Sequence, residues 1–277
     1  MKSNMAENGK WAVILCGGRG SRLGSITDNM PKPLVEVHGK PILWYSFLCR
    51  YKHGFRHFVF PLGYRGEMIK KYLSKTFGDM DCDIHCADTG EDAPIARRLA
   101  QVIDHIPNDE DFFLINSDTI FDFDIDAMYA MHKAEKALVT LSSVEVVSSW
   151  GLLHLRDGKL VQFDRERKIR YLAAENDPTL QGRVNSGLTY VSKAALQYVD
   201  LETCGDFEST LYPAIIAAGR ASHFELRGCW FPIDTPKDLD IVNMRIVDAH
   251  STGHRAKAVH KKLTAITRSR RRMRKKA

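Results

Sequence analysis

Short apolar runs alternate with amphipathic stretches over most of the chain. The apolar runs predict strands at residues 11–16, 57–62, 82–86, 112–116, 138–144 and 223–226. The amphipathic stretches predict helices at residues 41–51, 67–77, 128–136, 207–219 and 237–250. Strands that alternate with helices in this way are typical of βαβ units and a parallel sheet.

One segment breaks this alternation. Between residues 151 and 163, two apolar runs flank the dipeptide Asp157-Gly158, a common hairpin turn. The hairpin predicts antiparallel strands added to a parallel sheet. The expected fold class is therefore α/β, with a Rossmann-like, mostly parallel mixed sheet flanked by helices and an antiparallel hairpin insertion. One domain is expected at residues 10–250, followed by a disordered tail at 251–277.

Composition excludes several classes of protein. The chain has 277 residues, of which 44% are hydrophobic and 27% charged, so extended disorder is excluded. No apolar run approaches the roughly 20 residues of a membrane span, which argues against an integral membrane protein. The six cysteines form no disulfide pattern and no signal peptide is visible, so a cytoplasmic location is expected. We also expect a homo-oligomer, although no motif encodes one.

The basic character of the chain resides in its tail. Residues 255–277 contain 11 lysines and arginines and no acid, which leaves 29 basic and 34 acidic residues elsewhere. The tail could bind an anionic partner such as nucleic acid, acidic polysaccharide or a lipid surface, or it could be a solvated extension without a partner. The high overall isoelectric point is no reason to regard the whole protein as nucleic-acid binding.

A glycine-rich turn, Gly17-Gly18-Arg19-Gly20-Ser21-Arg22, follows the first predicted strand. Such a turn lets backbone N–H groups approach a phosphate closely. It is neither a dinucleotide fingerprint nor a P-loop, because Leu23 takes the third glycine position and no Gly-Lys-Ser/Thr closes it. The alternative is a tight strand-to-helix turn with solvated arginines.

Three charged residues lie at further structural breaks. Lys32 stands between two prolines, whose restricted backbone would hold its ammonium group as a point charge suited to phosphate; the alternative is a solvent-exposed proline turn. Asp118 follows a buried strand, where ligands of α/β proteins bind and where Mg²⁺ finds carboxylate ligands; the alternative is a helix cap. Asp234 precedes a predicted helix that Thr235 caps and Pro236 begins.

Cys82, His85 and Cys86 could be metal ligands. A strand there would place Cys82, Ile84 and Cys86 on one face, which favours packing in the core.

Together these motifs resemble the sugar-1-phosphate nucleotidyltransferases over roughly residues 10–245. The resemblance rests on the glycine-rich turn, Pro31-Lys32-Pro33, Asn116-Ser117-Asp118, Asn185-Ser186-Gly187 and Ile233-Asp234-Thr235-Pro236. Further runs resemble the glucose-1-phosphate cytidylyltransferase branch, namely Gly39-Lys40-Pro41-Ile42-Leu43-Trp44, Gly63-Tyr64-Arg65-Gly66, Asp88-Thr89-Gly90 with Arg98-Leu99, and residues 230–234.

The resemblance implies a role for each candidate residue. Arg22 would face the leaving pyrophosphate and Lys32 the α-phosphate, while Asp118 and Asp234 would flank Mg²⁺. The nucleotide, with CTP preferred, would bind at Gly17, Gly18, Gly20, Ser21, Thr89, Gly90 and Arg98. The sugar 1-phosphate would bind at Asn185, Gly187, Glu208 and Lys168.

The chain departs from the family pattern on the sugar side. The family has a Phe-x-Glu-Lys-Pro segment, where this chain has Phe163-Asp164-Arg165-Glu166-Arg167-Lys168. Arg167 or Lys168 could replace the family lysine, or the segment could be a solvated loop. Three other functions stay open: a related-fold glycosyltransferase that uses Asp122-Phe123-Asp124, a non-catalytic nucleotide sensor, and a nucleic-acid binder that acts through the tail.

Overall fold

The fold was examined in a computed structural model, which describes residues 10–147, 152–164, 168–169, 172–173, 179–247 and 264. The strands of the described residues are β1 Lys10–Leu15, β2 Glu36–Val37, β3 Lys40–Pro41, β4 Phe55–Leu62, β5 Asp83–Asp88, β6 Asp111–Asn116, β7 Thr119–Asp122, β8 Val139–Val144, β9 Val146–Val147, β10 Leu152–Arg156, β11 Lys159–Asp164, β12 Lys168–Ile169, β13 Leu172–Ala173, β14 Gln181–Gly182, β15 Val184–Ser192, β16 Ala221–Glu225 and β17 Cys229–Pro232.

The α-helices of the described residues are α1 Ile42–Lys52, α2 Gly66–Phe77, α3 Ile95–Ala100, α4 Ile125–Ala134, α5 Leu211–Ala217 and α6 Pro236–Val247. Short 3₁₀ segments lie at Ser21–Thr27, Lys32–Leu34, Ile103–His105 and Lys193–Tyr198. No helix in this part of the chain is long and apolar enough to cross a membrane.

The central sheet has seven strands in the order β16-β8-β15-β6-β1-β4-β5. Neighbouring strands are parallel except at β15, which runs antiparallel to both β6 and β8. Every second residue of β1 points to the same face, so Ala12 and Ile14 enter one apolar cluster and Trp11 and Val13 enter the other. Helices α1 and α2 cover the first face, and α3 and α5 cover the second. This confirms the predicted α/β class and mixed sheet.

The hairpin is present, but it does not extend the central sheet. Among the described residues, strands β10 and β11 pair only with each other, and the turn residues Asp157 and Gly158 have φ values of 47° and 74°. These left-handed values suit the tight hairpin turn that the dipeptide predicts. The antiparallel strand of the central sheet is instead β15, which was not predicted.

Two further predictions need correction. Residues 119–122, for which no strand was predicted, form β7, which pairs with β17; the β-prone Thr119, Ile120 and Phe121 outweigh the surrounding acids. The helix predicted at 207–219 begins only at Leu211. Asp206 accepts hydrogen bonds from the backbone N–H and the hydroxyl of Ser209 at 2.7 and 2.6 Å, which makes a separate turn before the helix.

The cysteines near β5 pack as predicted. Cys82, Ile84 and Cys86 are partly buried against the core, while His85 stacks on His105 with ring centroids 4.9 Å apart. Burial raises the pKa of the Cys86 thiol to about 11. The prediction of core packing is confirmed for these residues.

Candidate active site

The glycine-rich turn leaves β1 at the carboxyl edge of the parallel strands and packs closely against two cationic side chains. Gly20 has φ 70°, and a Cβ there would lie 2.7 Å from the Cβ of Lys32. A Cβ on Gly17 would collide with the guanidinium group of Arg98. Gly18, in contrast, faces open space. Ser21 then begins a 3₁₀ segment. The turn therefore needs glycine at Gly17 and Gly20, and Gly18 leaves its backbone accessible.

The guanidinium group of Arg98 is hydrogen-bonded to residues that lie beside this turn. It is 4% exposed, and its Nη1 donates to Thr89 Oγ1 at 2.8 Å and to the Gly90 carbonyl at 2.7 Å. Its Nη2 donates to the Glu91 carbonyl at 2.8 Å. Burial lowers the pKa of the guanidinium. The structure thus brings Thr89, Gly90 and Arg98 next to Gly17. Arg98 stabilises residues 89–91 through its hydrogen bonds.

Residues 63–66 also support the glycine-rich turn, and this support was not predicted. Tyr64 donates its hydroxyl proton to the carbonyls of Thr27 and Asp28, at 3.1 and 2.8 Å. Arg19 lies over the Tyr64 ring at 4.8 Å and pairs with Glu91 at 3.1 Å. The sequence signal that could have indicated this supporting role is the run Gly63-Tyr64-Arg65.

Lys32 lies between the two candidate metal ligands. The side chain is buried, and its Nζ is 2.7 Å from Asp118 Oδ2 and 2.7 Å from Asp234 Oδ1. Because both oxygens contact one nitrogen, they are at most 5.4 Å apart, twice 2.7 Å. Arg22 Nη2 contacts the same Asp234 oxygen at 2.9 Å. Two cationic and two anionic groups therefore form one cluster, although 116 positions separate the two aspartates.

The β7–β17 pair explains this convergence. Thr119 faces Pro232 in the antiparallel register, and the Ile233 N–H donates to the Asp118 carbonyl at 3.0 Å. Asp118 and Asp234 are therefore held at the same end of one ladder. On the opposite side, Pro31 is extended, with φ −72° and ψ 143°, and directs Lys32 into the space between them.

A capping box holds Asp234 in place. Thr235 and Asp238 bond reciprocally at the start of α6: the Asp238 N–H donates to Thr235 Oγ1 at 3.3 Å, and the Thr235 N–H donates to Asp238 Oδ2 at 2.8 Å. The predicted cap at Thr235 is confirmed. Asp234 is left with its carboxylate facing Lys32 and Arg22.

Three of the residues predicted to bind the sugar 1-phosphate lie together at an irregular part of β15. Asn185 donates to Glu208 Oε1 at 3.1 Å and accepts from the Gly187 N–H at 3.1 Å. Gly187 has φ 73°, at the break in the register between β15 and β8. Trp230 donates its indole N–H to the Ser186 carbonyl at 3.0 Å. The structure therefore assembles Asn185, Gly187 and Glu208.

Asn185 and Glu208 border a cavity of about 390 Å³. Its other polar lining residues, which were not predicted, include Arg183, Tyr212 and His223. His223 bonds to Ser143 Oγ at 2.7 Å, and burial lowers the pKa of its imidazole. Of the remaining sugar-side candidates, Lys168 contributes its backbone to β12, but its side chain and residues 165–167 lie outside the described residues.

The acids of the glycosyltransferase alternative have other tasks. Asp124 caps α4 by accepting from the Ala127 N–H at 2.9 Å, and Asp122 Oδ1 lies 3.7 Å from Lys52 Nζ. Asp126 bonds to Lys10 and His53. The cap is therefore Asp124, whereas Asp118, for which capping was the alternative, faces Lys32. Because Asp124 is engaged as the helix cap, the geometry disfavours a metal site that Asp122 and Asp124 share.

Comparisons with known proteins agree with this arrangement. Residues 11–248 match the family model described as nucleotidyl transferase. Glucose-1-phosphate cytidylyltransferase of Salmonella typhimurium is 30% identical over 247 residues, which are 82% of this chain and 92% of that protein. Mannose-1-phosphate guanyltransferase beta-A of Xenopus laevis is 29% identical over 233 residues, which are 82% of this chain and 62% of that protein.

A solved structure shows the same fold. HddC from Yersinia pseudotuberculosis superposes with a TM-score of 0.62 at 22% identity, covering 86% of this chain and 99% of that one. The family match and the curated relatives confirm the resemblance to sugar-1-phosphate nucleotidyltransferases stated from the sequence. The chain belongs to the nucleotidyl transferase family.

Proposed function

We propose that this protein transfers a nucleoside monophosphate, with CTP as the preferred donor, to a sugar 1-phosphate. An oxygen of the sugar phosphate attacks the α-phosphorus of the triphosphate, and the bond between the α- and β-phosphates breaks. The products are a nucleoside diphosphate sugar and pyrophosphate. Because the nucleophile is already an anion, no side chain has to remove a proton, and catalysis consists of positioning and charge neutralisation.

One observation carries this proposal: the cluster of Lys32, Arg22, Asp118 and Asp234 beside the glycine-rich turn. A Cβ at Gly18 would meet no atom within 4 Å, so a phosphate has room to approach the backbone of the turn there. Arg22 is 69% exposed at its side chain, so it is free to turn toward a departing pyrophosphate. Lys32 is held from both sides and acts as a fixed positive charge.

The two carboxylates fit a hard divalent cation. Asp118 and Asp234 offer only oxygen ligands, which Mg²⁺ prefers, and both are partly exposed to incoming substrate. When bound, the ion would neutralise charge on the triphosphate. Asp118 and Asp234 would hold the ion, and the Lys32 ammonium would then be available to a substrate phosphate.

The acceptor is proposed to bind at the cavity beside Asn185, Gly187 and Glu208. Asn185 and Glu208 offer amide and carboxylate groups suited to sugar hydroxyls, and Gly187 leaves room for close approach. Lys168 remains the proposed phosphate contact on this side. The choice of CTP is supported by the sequence runs that resemble the cytidylyltransferase branch and by the relative named glucose-1-phosphate cytidylyltransferase. Another relative is named mannose-1-phosphate guanyltransferase.

A panel of substrates tests the proposed function. CTP, UTP, dTTP, GTP and ATP are each combined with glucose 1-phosphate or mannose 1-phosphate, with Mg²⁺, and pyrophosphate release is measured. We expect release only when both substrates are present, with kcat/KM for CTP about tenfold or more above that for the other nucleotides, a difference worth about 1.4 kcal/mol.

The outcome also separates the other readings. Binding of nucleotide without turnover of any pair would favour the nucleotide sensor. Sugar transfer from a nucleoside diphosphate sugar, without any need for a triphosphate, would favour the glycosyltransferase. A higher kcat/KM for GTP or dTTP would overturn the choice of CTP but leave the transfer reaction in place.

Truncation after Thr252 tests the proposed domain boundary. Every candidate site residue precedes position 235, so we expect turnover within about twofold of the full chain. If the tail binds polyanions, that binding should vanish with the truncation and, in the full chain, weaken steeply as salt rises. Loss of turnover in a folded truncated protein of unchanged oligomeric state would place the tail in the active site. The homo-oligomer and the cytoplasmic location stay predictions.

A further inference from the structure

A second cluster of ligand-type side chains lies at the other end of β7 from Asp118. Cys49, His53 and Asp122 each offer one potential ligand atom, and these atoms all lie within 4.8 Å of one another. Cys49 and His53 are four residues apart at the end of α1 and therefore share one face of it. Asp122 is the last residue of β7, roughly 10 Å along the strand from Thr119. The cluster is therefore separate from the candidate active site.

The imidazole of His53 is oriented as in a metal ligand. Its Nδ1 lies 2.9 Å from Asp126 Oδ2, and its Nε2 is buried with no hydrogen-bond partner among the described residues. A carboxylate that holds the proton on Nδ1 leaves the lone pair of Nε2 available. Asp126 is itself fixed by Lys10. A buried nitrogen lone pair with nothing to accept is costly unless a cation or a proton donor occupies the space.

We propose that Cys49, His53 and Asp122 form a structural site for a transition metal of the zinc class, with Asp126 as the residue that positions His53. The site would join the end of α1 to the end of β7. A donor set of sulfur, nitrogen and oxygen suits Zn²⁺ and not Mg²⁺. Water would fill a fourth position.

The distances and charges are compatible with this ion. Bonds of about 2.0–2.3 Å place tetrahedral ligands roughly 3.5 Å apart, so the three atoms must approach by about 1 Å. Cys49 now donates its thiol proton to the Phe121 carbonyl at 3.3 Å. Metal binding releases that proton to solvent, and the thiolate and Asp122 then balance the two charges of the ion. Lys52, 3.7 Å from Asp122, is the competing cation.

Cobalt provides the direct test. Untagged full-length protein is freed of metal with a chelator and titrated with Co²⁺ in the presence of excess Mg²⁺, which occupies oxygen-only sites. We expect one cobalt per chain with an intense thiolate-to-metal charge-transfer band. Zn²⁺ should displace the cobalt and, at a hundredfold excess over its dissociation constant, raise the melting temperature by about 5–10 °C.

Variants assign the site. Cys49→Ser should abolish the charge-transfer band, His53→Gln should weaken zinc binding at least tenfold, and Asp126→Asn should weaken it about 10- to 100-fold. His53→Gln keeps the buried Cys49 and so remains informative if Cys49→Ser fails to fold. Cys204→Ser, at a buried thiol outside the cluster, and Asp234→Asn, in the candidate active site, should keep the band. A cobalt spectrum without a thiolate band, or one that is unchanged in both Cys49→Ser and His53→Gln, would overturn the proposal.

Discussion

Replacing either Asp118 or Asp234 by asparagine should abolish Mg²⁺-dependent pyrophosphate release. Asparagine keeps the size and one oxygen of aspartate but removes the negative charge that attracts a divalent cation. Each carboxylate oxygen lies 2.7 Å from Lys32 Nζ, so each substitution leaves that ammonium one anionic partner. The fold should therefore survive. Initial rates are measured over a Mg²⁺ titration with CTP and the acceptor, beside thermal unfolding curves.

Asp124→Asn is the matched control for these variants. It is the same chemical change, six positions from Asp118, but at the helix cap of α4, where asparagine caps as well as aspartate. We expect it to leave both turnover and stability unchanged. Wild-type turnover in Asp118→Asn or Asp234→Asn would refute the metal assignment. Loss of turnover in Asp124→Asn alone would place the essential carboxylate at Asp124 and not at Asp118 or Asp234.

Local sequence signals were sufficient for most of the fold. The buried strands β1, β4 and β6 each contain a continuous apolar run, and the hairpin turn is encoded in a single dipeptide. Each of these elements depends on neighbours within a few residues. Helix α1 was found because Pro41 marks its start and the apolar pattern continues to its end.

Long-range pairing was beyond such signals. Strand β15 runs antiparallel between β6 and β8 because of how the chain returns to the sheet, and no local pattern in residues 184–192 encodes that direction. The pairing of β7 with β17 joins segments more than 100 positions apart. That pairing brings Asp118 and Asp234 together, so their convergence could be expected from the family resemblance but not from spacing.

Side-chain partners were the least predictable part of the site. Arg98 was predicted to lie on the nucleotide side. In the structure its guanidinium donates hydrogen bonds to the Thr89 hydroxyl and to backbone carbonyls, because buried donors need acceptors. Cys49 and His53 have an i, i+4 spacing, but the predicted helix ended at residue 51 and the pair was not predicted as a site. The arrival of Asp122 beside them depends on how α1 packs against β7.

The second large effect is expected at the cations. Arg22→Ala and Lys32→Ala should each lower turnover by about 10²-fold or more, as for the loss of one preorganised charge in an active site. Arg22 has an exposed side chain, so its loss should leave the melting temperature unchanged. Arg19→Ala is the matched control, because Arg19 lies in the same turn and is equally exposed, yet it faces Tyr64 and Glu91. It should retain most of the wild-type turnover.

Lys32 allows a sharper test, because two roles of its ammonium can be separated. Lys32→Met keeps most of the side-chain volume but removes the charge between Asp118 and Asp234, which then repel each other. In the wild type this ammonium would compete with Mg²⁺ for the two carboxylates, whereas Lys32→Met would remove the competitor. We therefore expect Mg²⁺ to raise the melting temperature of Lys32→Met by more than that of the wild type, while turnover falls by about 10²-fold. A normal turnover would contradict the catalytic role of Lys32. No added stabilisation by Mg²⁺ would show that the Lys32 ammonium and the metal do not compete for Asp118 and Asp234.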